Sequence, residues 1–327
     1  MTHTGAATPR KRRWIGLWLP WAATGLLVVA WSLLWLWLRG ETERGIEAAA
    51  TALRAHGGQA AWSSLTFGGY PFRLDVEAAN LRLADPSGWS VALPSLKAEA
   101  YAFAPTRWIL ATDQGLTFTR PGEGPVRIGS PLLRASLNSW DQHPPRISFV
   151  GDDLTFEAAA GGAFPLAGAK AVQVYTRAGP DDQAALFVEV DGGAAAPGTD
   201  LDKLAGGGAV RLTLDAILSH ASALAGSAWR DAVASWARAG GELSLRRLAF
   251  VAGGMSLQAH TGSVTVDDDA RLVGDIDATL TAENQSAPAR LSMRRDGLWL
   301  GPARIAGSPR VYLLCLHAES SDRRACA

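Results

Sequence analysis

Cysteine is almost absent: Cys315 and Cys326 are the only two in 327 residues. That excludes a disulfide scaffold. An excess of charge of either sign is also missing, because 31 Lys and Arg balance 31 Asp and Glu. Such a balance argues against a general nucleic-acid binder, which needs a basic surface. Gly and Pro number 35 and 17, too few for a collagen-like chain. The six His (His3, His56, His143, His220, His260 and His317) fall in no HExxH or comparable spacing, so neither a metal nor any other cofactor is implied. Serine-nucleophile elbows, S-x-x-K pairs and glycine-rich phosphate loops are missing as well, and no reaction can be read from the chain.

What is present is concentrated. Residues 14–38 form 25 consecutive positions without a charge, holding six of the 13 Trp. At about 1.5 Å per residue such a helix reaches roughly 37 Å, enough to cross a hydrocarbon core of about 30 Å. Trp14, Trp18 and Trp21 at one end and Trp31, Trp35 and Trp37 at the other have the placement of interfacial aromatic belts. Arg10, Lys11, Arg12 and Arg13 precede the span, whereas Arg39 and Arg44 beyond it are interleaved with Glu41 and Glu43. The positive-inside rule then predicts a cytoplasmic N-terminus. A cleavable signal peptide has the same order of basic and apolar regions, but its apolar part covers only about 7–15 residues before a small-residue cleavage site. Here the run is longer and ends Leu36-Trp37-Leu38-Arg39, so an uncleaved anchor is expected.

Setting aside the four N-terminal basic residues leaves 27 Lys and Arg against 31 acids in the 289 residues from 39 to 327, a net charge of −4. Polyanions are therefore poor candidate ligands. Four Lys against 27 Arg, with abundant Ala, suggests a GC-rich bacterial genome, which would make the far side the periplasm and the membrane the bacterial inner membrane. In that oxidising compartment Cys315 and Cys326 could pair; packing of Cys315 and an idle Cys326 is the plainer alternative.

Residues 41–56 carry a helical pattern that stops at Gly57-Gly58 and reads as a stalk continuing the anchor. Beyond Ala61 the period falls to two. Phe72, Leu74 and Val76 alternate with Arg73, Asp75 and Glu77, and similar alternations recur at 91–101, 116–119, 154–158, 186–190, 210–214, 243–245, 255–259, 264–266 and 272–280. The predicted class is mainly β, an antiparallel curved sheet or two β units with a few helices after one transmembrane helix. Residues 215–238 are expected as a helix ending at Gly240-Gly241. Shifting residues 58–67 by 183 lays Gly58, Trp62, Leu65 and Phe67 on Gly241, Leu245, Leu248 and Phe250, which suggests an internal duplication. The expected organisation is a basic tail (1–13), a transmembrane helix (14–38), a stalk (39–58), a first β-rich unit (59–200) and a helix with a second β-rich unit (201–327). Asp152-Asp153, Asp181-Asp182 and Asp267-Asp268-Asp269 read as solvated turns rather than cation loops.

The segment that stands out is Gly68-Gly69-Tyr70-Pro71-Phe72-Arg73-Leu74-Asp75-Val76. Paired glycines permit a sharp turn, and a proline at a strand entrance withdraws only one ladder donor. Arg73 is expected either to pair with Asp75 or Glu77 or to meet a ligand. Gly69-Tyr70-Pro71-Phe72-Arg73 after a single N-terminal anchor resembles the signature of domain-of-unknown-function family 2125. Trp236-Ala237-Arg238-Ala239-Gly240-Gly241-Glu242-Leu243 and Asp296-Gly297-Leu298-Trp299-Leu300-Gly301-Pro302 agree with it. The family's residue between Gly and Pro is Phe; Tyr70 departs from it by a hydroxyl. The resemblance implies an alphaproteobacterial, membrane-anchored periplasmic protein with no catalytic residues to carry over. More distantly the chain is similar to AsmA-like envelope proteins, associated with outer-membrane maintenance and lipid handling.

Three functions follow as expectations. The first is a lipid- or partner-binding scaffold of the envelope, with Phe72, Leu74, Val76, Phe118 and Phe156 lining an apolar groove and Arg73 beside it. The second is an envelope-polymer hydrolase using Asp75 and Glu77, whose i, i+2 spacing on a strand gives about 6.6 Å between Cα atoms. The third is a structural partner of another inner-membrane protein through the Trp-rich helix.

Overall fold

A computed structural model describes residues 15–139, 142, 144–159, 164–226, 228–283 and 285–308. The basic residues 10–13, Cys315, His317 and Cys326 lie outside them. Helix α1 (Ile15–Ala55) runs uninterrupted for 41 residues and is long and apolar enough to cross a membrane. Its surroundings change along its length. From Trp18 to Ala30 every side chain is exposed, whereas from Trp31 onward Trp31, Trp35, Leu38, Thr42, Ile46, Ala50 and Leu53 form an inward stripe. That spacing of three and four is one face of a 3.6-residue helix. The helix stops in a Schellman arrangement: Gly57 takes φ 84°, its N–H donates to the Arg54 carbonyl and that of Gly58 to the Leu53 carbonyl. A side chain at Gly57 would be strained in this conformation.

The rest is one antiparallel sheet. β1 (Gln59–Ala61) and β2 (Ser64–Gly68) pair with the two ends of β3 (Arg73–Ala84), which pairs with β4 (Ser90–Tyr101). β5 (Ala104–Thr112) and β6 (Leu116–Arg120) both lie on β4 and act as halves of one broken rib. β7 (Gly124–Gly129) and β8 (Leu133–Asn138) form the next, both pairing with β9 (Arg146–Ala158). From there the ladder continues strand by strand through β10 (Leu166–Ala178), β11 (Ala184–Ala195), β12 (Val210–Leu218), β13 (Leu243–Ala252), β14 (Met255–Val266), β15 (Leu272–Ala282), β16 (Gln285–Arg294), β17 (Gly297–Leu300) and β18 (Ala303–Ala306). The β11–β12 ladder pairs strands on either side of residue 200, where the sequence suggests the division between the two β-rich units. Every alternation expected from residue 91 onward falls inside one of these strands.

Each neighbouring strand is rotated by roughly 20–25° in a twisted sheet. Eight rib-to-rib steps from β3 to β13 therefore accumulate about 160–200°, close to a half turn. A long-range contact joins two distant parts of the ladder. The β3–β4 turn lies on the rim far from Gly69, while the segment between β12 and β13, which carries helix α3 (Trp229–Arg238), leaves the sheet from the opposite rim. Yet the Asp85 carboxylate accepts the Trp229 N–H at 2.9 Å and the Ser87 hydroxyl accepts the Arg230 N–H at 3.0 Å. Two orphan amides at the helix start are thus capped by side chains more than 140 positions away. Trp236 closes the other end: it is buried, donates its indole N–H to the Ser219 carbonyl at 2.7 Å and packs against Gly241, where a Cβ would collide with its ring.

Three local expectations are corrected. Residues 215–218 are strand, not helix: the period-two series Val210, Leu212, Leu214, Ala216 runs through Asp215, and ladders on both sides hold it extended. A short 3-10 turn at Ala221–Ala223 follows, and the helix begins only at Trp229. Asp152 and Asp153 lie within β9 rather than in a turn, with Asp153 at φ 48° marking an irregularity in the strand. Phe72 is not part of β3; it belongs to the turn before it and is exposed. Asp181-Asp182 and Asp267-Asp268-Asp269 do occupy turns, between β10 and β11 and between β14 and β15. The order helix, Gly-Gly, strand, Gly-Gly, strand holds from α3 to β14; from α1 to β3 two short strands, β1 and β2, take the place of the first strand.

Asp85→Ala removes one of the two side chains that cap α3. We expect a loss of about 1 kcal/mol of stability, read as a lower midpoint in denaturant titration of the detergent-solubilised chain followed by circular dichroism.

Candidate functional site

The Gly69–Arg73 turn is where helix and sheet meet. Gly69 takes φ 92°, and a Cβ there would stand 2.7 Å from the Arg73 carbonyl oxygen. Glycine is therefore required on two counts. The Tyr70–Pro71 peptide is cis. The Arg73 N–H closes the turn onto the Gly69 carbonyl at 2.8 Å.

Three side chains of α1 engage this turn. Trp35 is only 6% exposed and donates its indole N–H to the Arg73 carbonyl at 2.7 Å. Trp31 donates to the Pro71 carbonyl at 2.8 Å. The Ser32 hydroxyl and the Tyr70 phenol share a hydrogen bond of 2.8 Å, and the Trp35 and Tyr70 rings meet edge to face at 5.4 Å. Around Trp35 the core is built from Leu74, Val76, Ala100, Ala102 and Trp108. The motif thus clamps α1 to the sheet. Tyr70 contributes the hydroxyl that meets Ser32.

Arg73 has the pairing expected of it in part. It reaches Asp75 at 3.2 Å and, across the ladder, Glu99 at 3.2 Å. Glu77 meets Lys97 at 3.9 Å instead. Asp75 and Glu77 do share a face, and both carry a basic neighbour.

The sequence-derived groove residues are scattered by the fold. Leu74 and Val76 point into the core against Trp35, and Phe72 is exposed on the turn. Phe118 stands opposite Val91, which stands opposite Leu83, whereas Leu74 stands opposite Ala100. Nine positions on β3 separate the two levels, about 30 Å by strand rise. Phe118 rests on Trp89 with ring centroids 5.5 Å apart, and Phe156 on Phe164 at 4.8 Å. The structure brings Leu74 and Val76 together with Trp35; it does not bring Phe118 or Phe156 to them.

A different apolar surface is assembled by register. Leu110, Ala135, Phe149, Val174, Val188, Leu214 and Leu248 stand opposite one another in sequence across seven ribs. All seven are half-buried. A parallel row of Trp108, Leu137, Ile147, Thr176, Leu186, Ala216 and Leu245 runs beside it. The two rows join the core beneath α1 to a second one built on Leu245, Leu257, Val264, Ile276 and Leu291. On the opposite face the intervening row reads Ile109, Ser136, Ser148, Tyr175, Phe187, Asp215 and Arg247, a mixed and wetter surface. No short-range pattern joins these rows, because their successive members are 10 to 34 positions apart. A polar hollow of about 520 Å³ lies near His260 and Arg246, but no cluster of metal-ligating side chains occurs among the described residues.

Trp35→Ala should lower the unfolding free energy by about 3–5 kcal/mol through lost burial. Trp35→Phe retains most of the area but orphans the Arg73 carbonyl, costing about 1–3 kcal/mol. Denaturant titration of both variants checks this order, and a Trp35→Phe chain as stable as the wild type would refute the role of the hydrogen bond.

Neither a curated protein nor a solved structure matches the chain. A family model described as an uncharacterized protein conserved in bacteria, DUF2125, matches residues 35–305, beginning at the tryptophan that holds the turn. By that match over most of its length, the chain belongs to domain-of-unknown-function family 2125.

Proposed function

We propose that the protein is a single-pass anchored module of the bacterial envelope that holds an acyl chain on the inner face of its sheet. The observation that carries this reading is the half-buried apolar row from Leu110 to Leu248. A sheet face of that composition is stable only when something apolar covers it. The helices lie elsewhere: α1 packs on the first strands, α2 (Asp200–Ala205) sits near β11 and β13, and α3 near β14. Retention of α1 has its own support. Removal of a signal peptide through the apolar run would take away Trp31 and Trp35, and with them the cover of Leu74 and Val76. An N-terminus in the cytoplasm and a periplasmic sheet follow from the charge bias at residues 10–13.

Hydrolysis through Asp75 and Glu77 has less support. Arg73 and Lys97 stand against these carboxylates, and the turn beside them is filled by Trp35.

A photoreactive benzoylphenylalanine in place of Val188, on the inner face, should yield phospholipid adducts when the full chain is irradiated in intact cells. The same residue in place of Thr213, on the outer face, should yield none. Protein adducts alone at Val188 would replace the acyl-chain reading by a partner protein, and equal lipid labelling at both positions would refute it.

A further inference from the structure

The turn clamped to α1 carries more apolar surface than the clamp needs. Tyr70 is 54% exposed and Phe72 64%. At the neighbouring β4–β5 turn Tyr101 is 53% and Phe103 69% exposed, with their rings stacked at 5.0 Å. The two turns are tied together, the Ala102 N–H donating to the Phe72 carbonyl at 2.9 Å. Four large aromatic side chains therefore project from one corner of the rim. Charges begin behind them: Arg73, Asp75 and Glu99 lie at the next levels of the strands.

The level of this corner along α1 can be counted. About 20 residues cross the hydrocarbon core, and counting from Trp14, the first position after the basic run, places its far edge near residue 33. The turn touches α1 at Trp31 and Ser32, at or just inside that edge. On the open side of the helix Leu33, Leu34, Leu36 and Trp37 are exposed at the same height. Water at this level would face apolar side chains from both elements.

We propose that Tyr70, Phe72, Tyr101 and Phe103 form a wedge that inserts into the interface of the bilayer leaflet that α1 exits, seating the sheet on the membrane. Aromatic rings with a polar tip suit the headgroup boundary, and Phe suits the acyl side of it. The single helix would leave the sheet free to swing; a second contact beside it fixes the tilt, and the corner where the inner face begins at Leu74 is brought to the lipid. The inference rests on α1 being a retained anchor.

The test uses the full-length chain, with Cys315→Ser and Cys326→Ser, in vesicles of phosphatidylcholine and phosphatidylglycerol. An environment-sensitive fluorophore is attached at Phe72→Cys and, for comparison, at Arg82→Cys, exposed near the far end of β3. The expected result is blue-shifted emission at position 72, quenched by lipids spin-labelled near the headgroup and shielded from aqueous iodide, with position 82 quenched by iodide alone. Iodide quenching equal at the two positions, in a chain that resists carbonate extraction, overturns the wedge while leaving the anchor intact. A chain that carbonate extracts, with its N-terminus missing by mass, overturns both.

Discussion

A buried indole N–H needs an acceptor, and in Trp35 that need ties a membrane-length helix to a sheet. The acceptor is the Arg73 carbonyl, presented at the entrance of β3 by a turn that only glycine at position 69 permits. Leu74, Val76, Ala100 and Trp108 pack around the indole, so breaking the bond would leave a buried donor without its acceptor. The register of the helix on the sheet follows. Once Trp35 is fixed, the inward stripe continues through Leu38, Ile46 and Ala50 and covers the first strands.

Beyond that point the sheet has no comparable lid, and its own twist takes over. Right-handed twist accumulates over the ribs of such a sheet, and α3 meets the β3–β4 turn. Asp85 and Ser87 then supply the caps that α3 lacks locally: its own N-cap residue, Ala228, makes no side-chain cap bond. The winding lets late strands bury Leu245, Leu257 and Ile276 among themselves. Between the two cores the strands from β8 to β12 are left half-covered, and it is there that an apolar ligand would reside.

Much of this was legible in the residues. Period two marked the strands, glycine pairs marked the ends of both helical segments, and the uncharged run marked a segment able to span. The tryptophans at 31 and 35 were legible only as an interfacial belt, although their continuation at 38, 42, 46 and 50 on one helical face was a signal of packing. The apolar residues at 217 and 218 fitted a helix in sequence, yet the ladder with Leu186 and Leu245 on either side of Ala216 made them strand. Phe72 alternated correctly with Leu74 but lies before the strand, in the turn. Phe118 and Phe156 shared a chemistry with Leu74 and not a place.

The sequence by itself determined the class of the fold, a segment long and apolar enough to span, the balance of charge on either side of it and the importance of the segment from Gly69 to Arg73, because each depends on neighbours within a few positions. Only the tertiary structure decided what that segment holds, which apolar residues form a continuous face, and where α3 finds its caps. Those outcomes depend on strand register and on twist summed over many strands, and both are properties of pairings between residues that are distant along the chain.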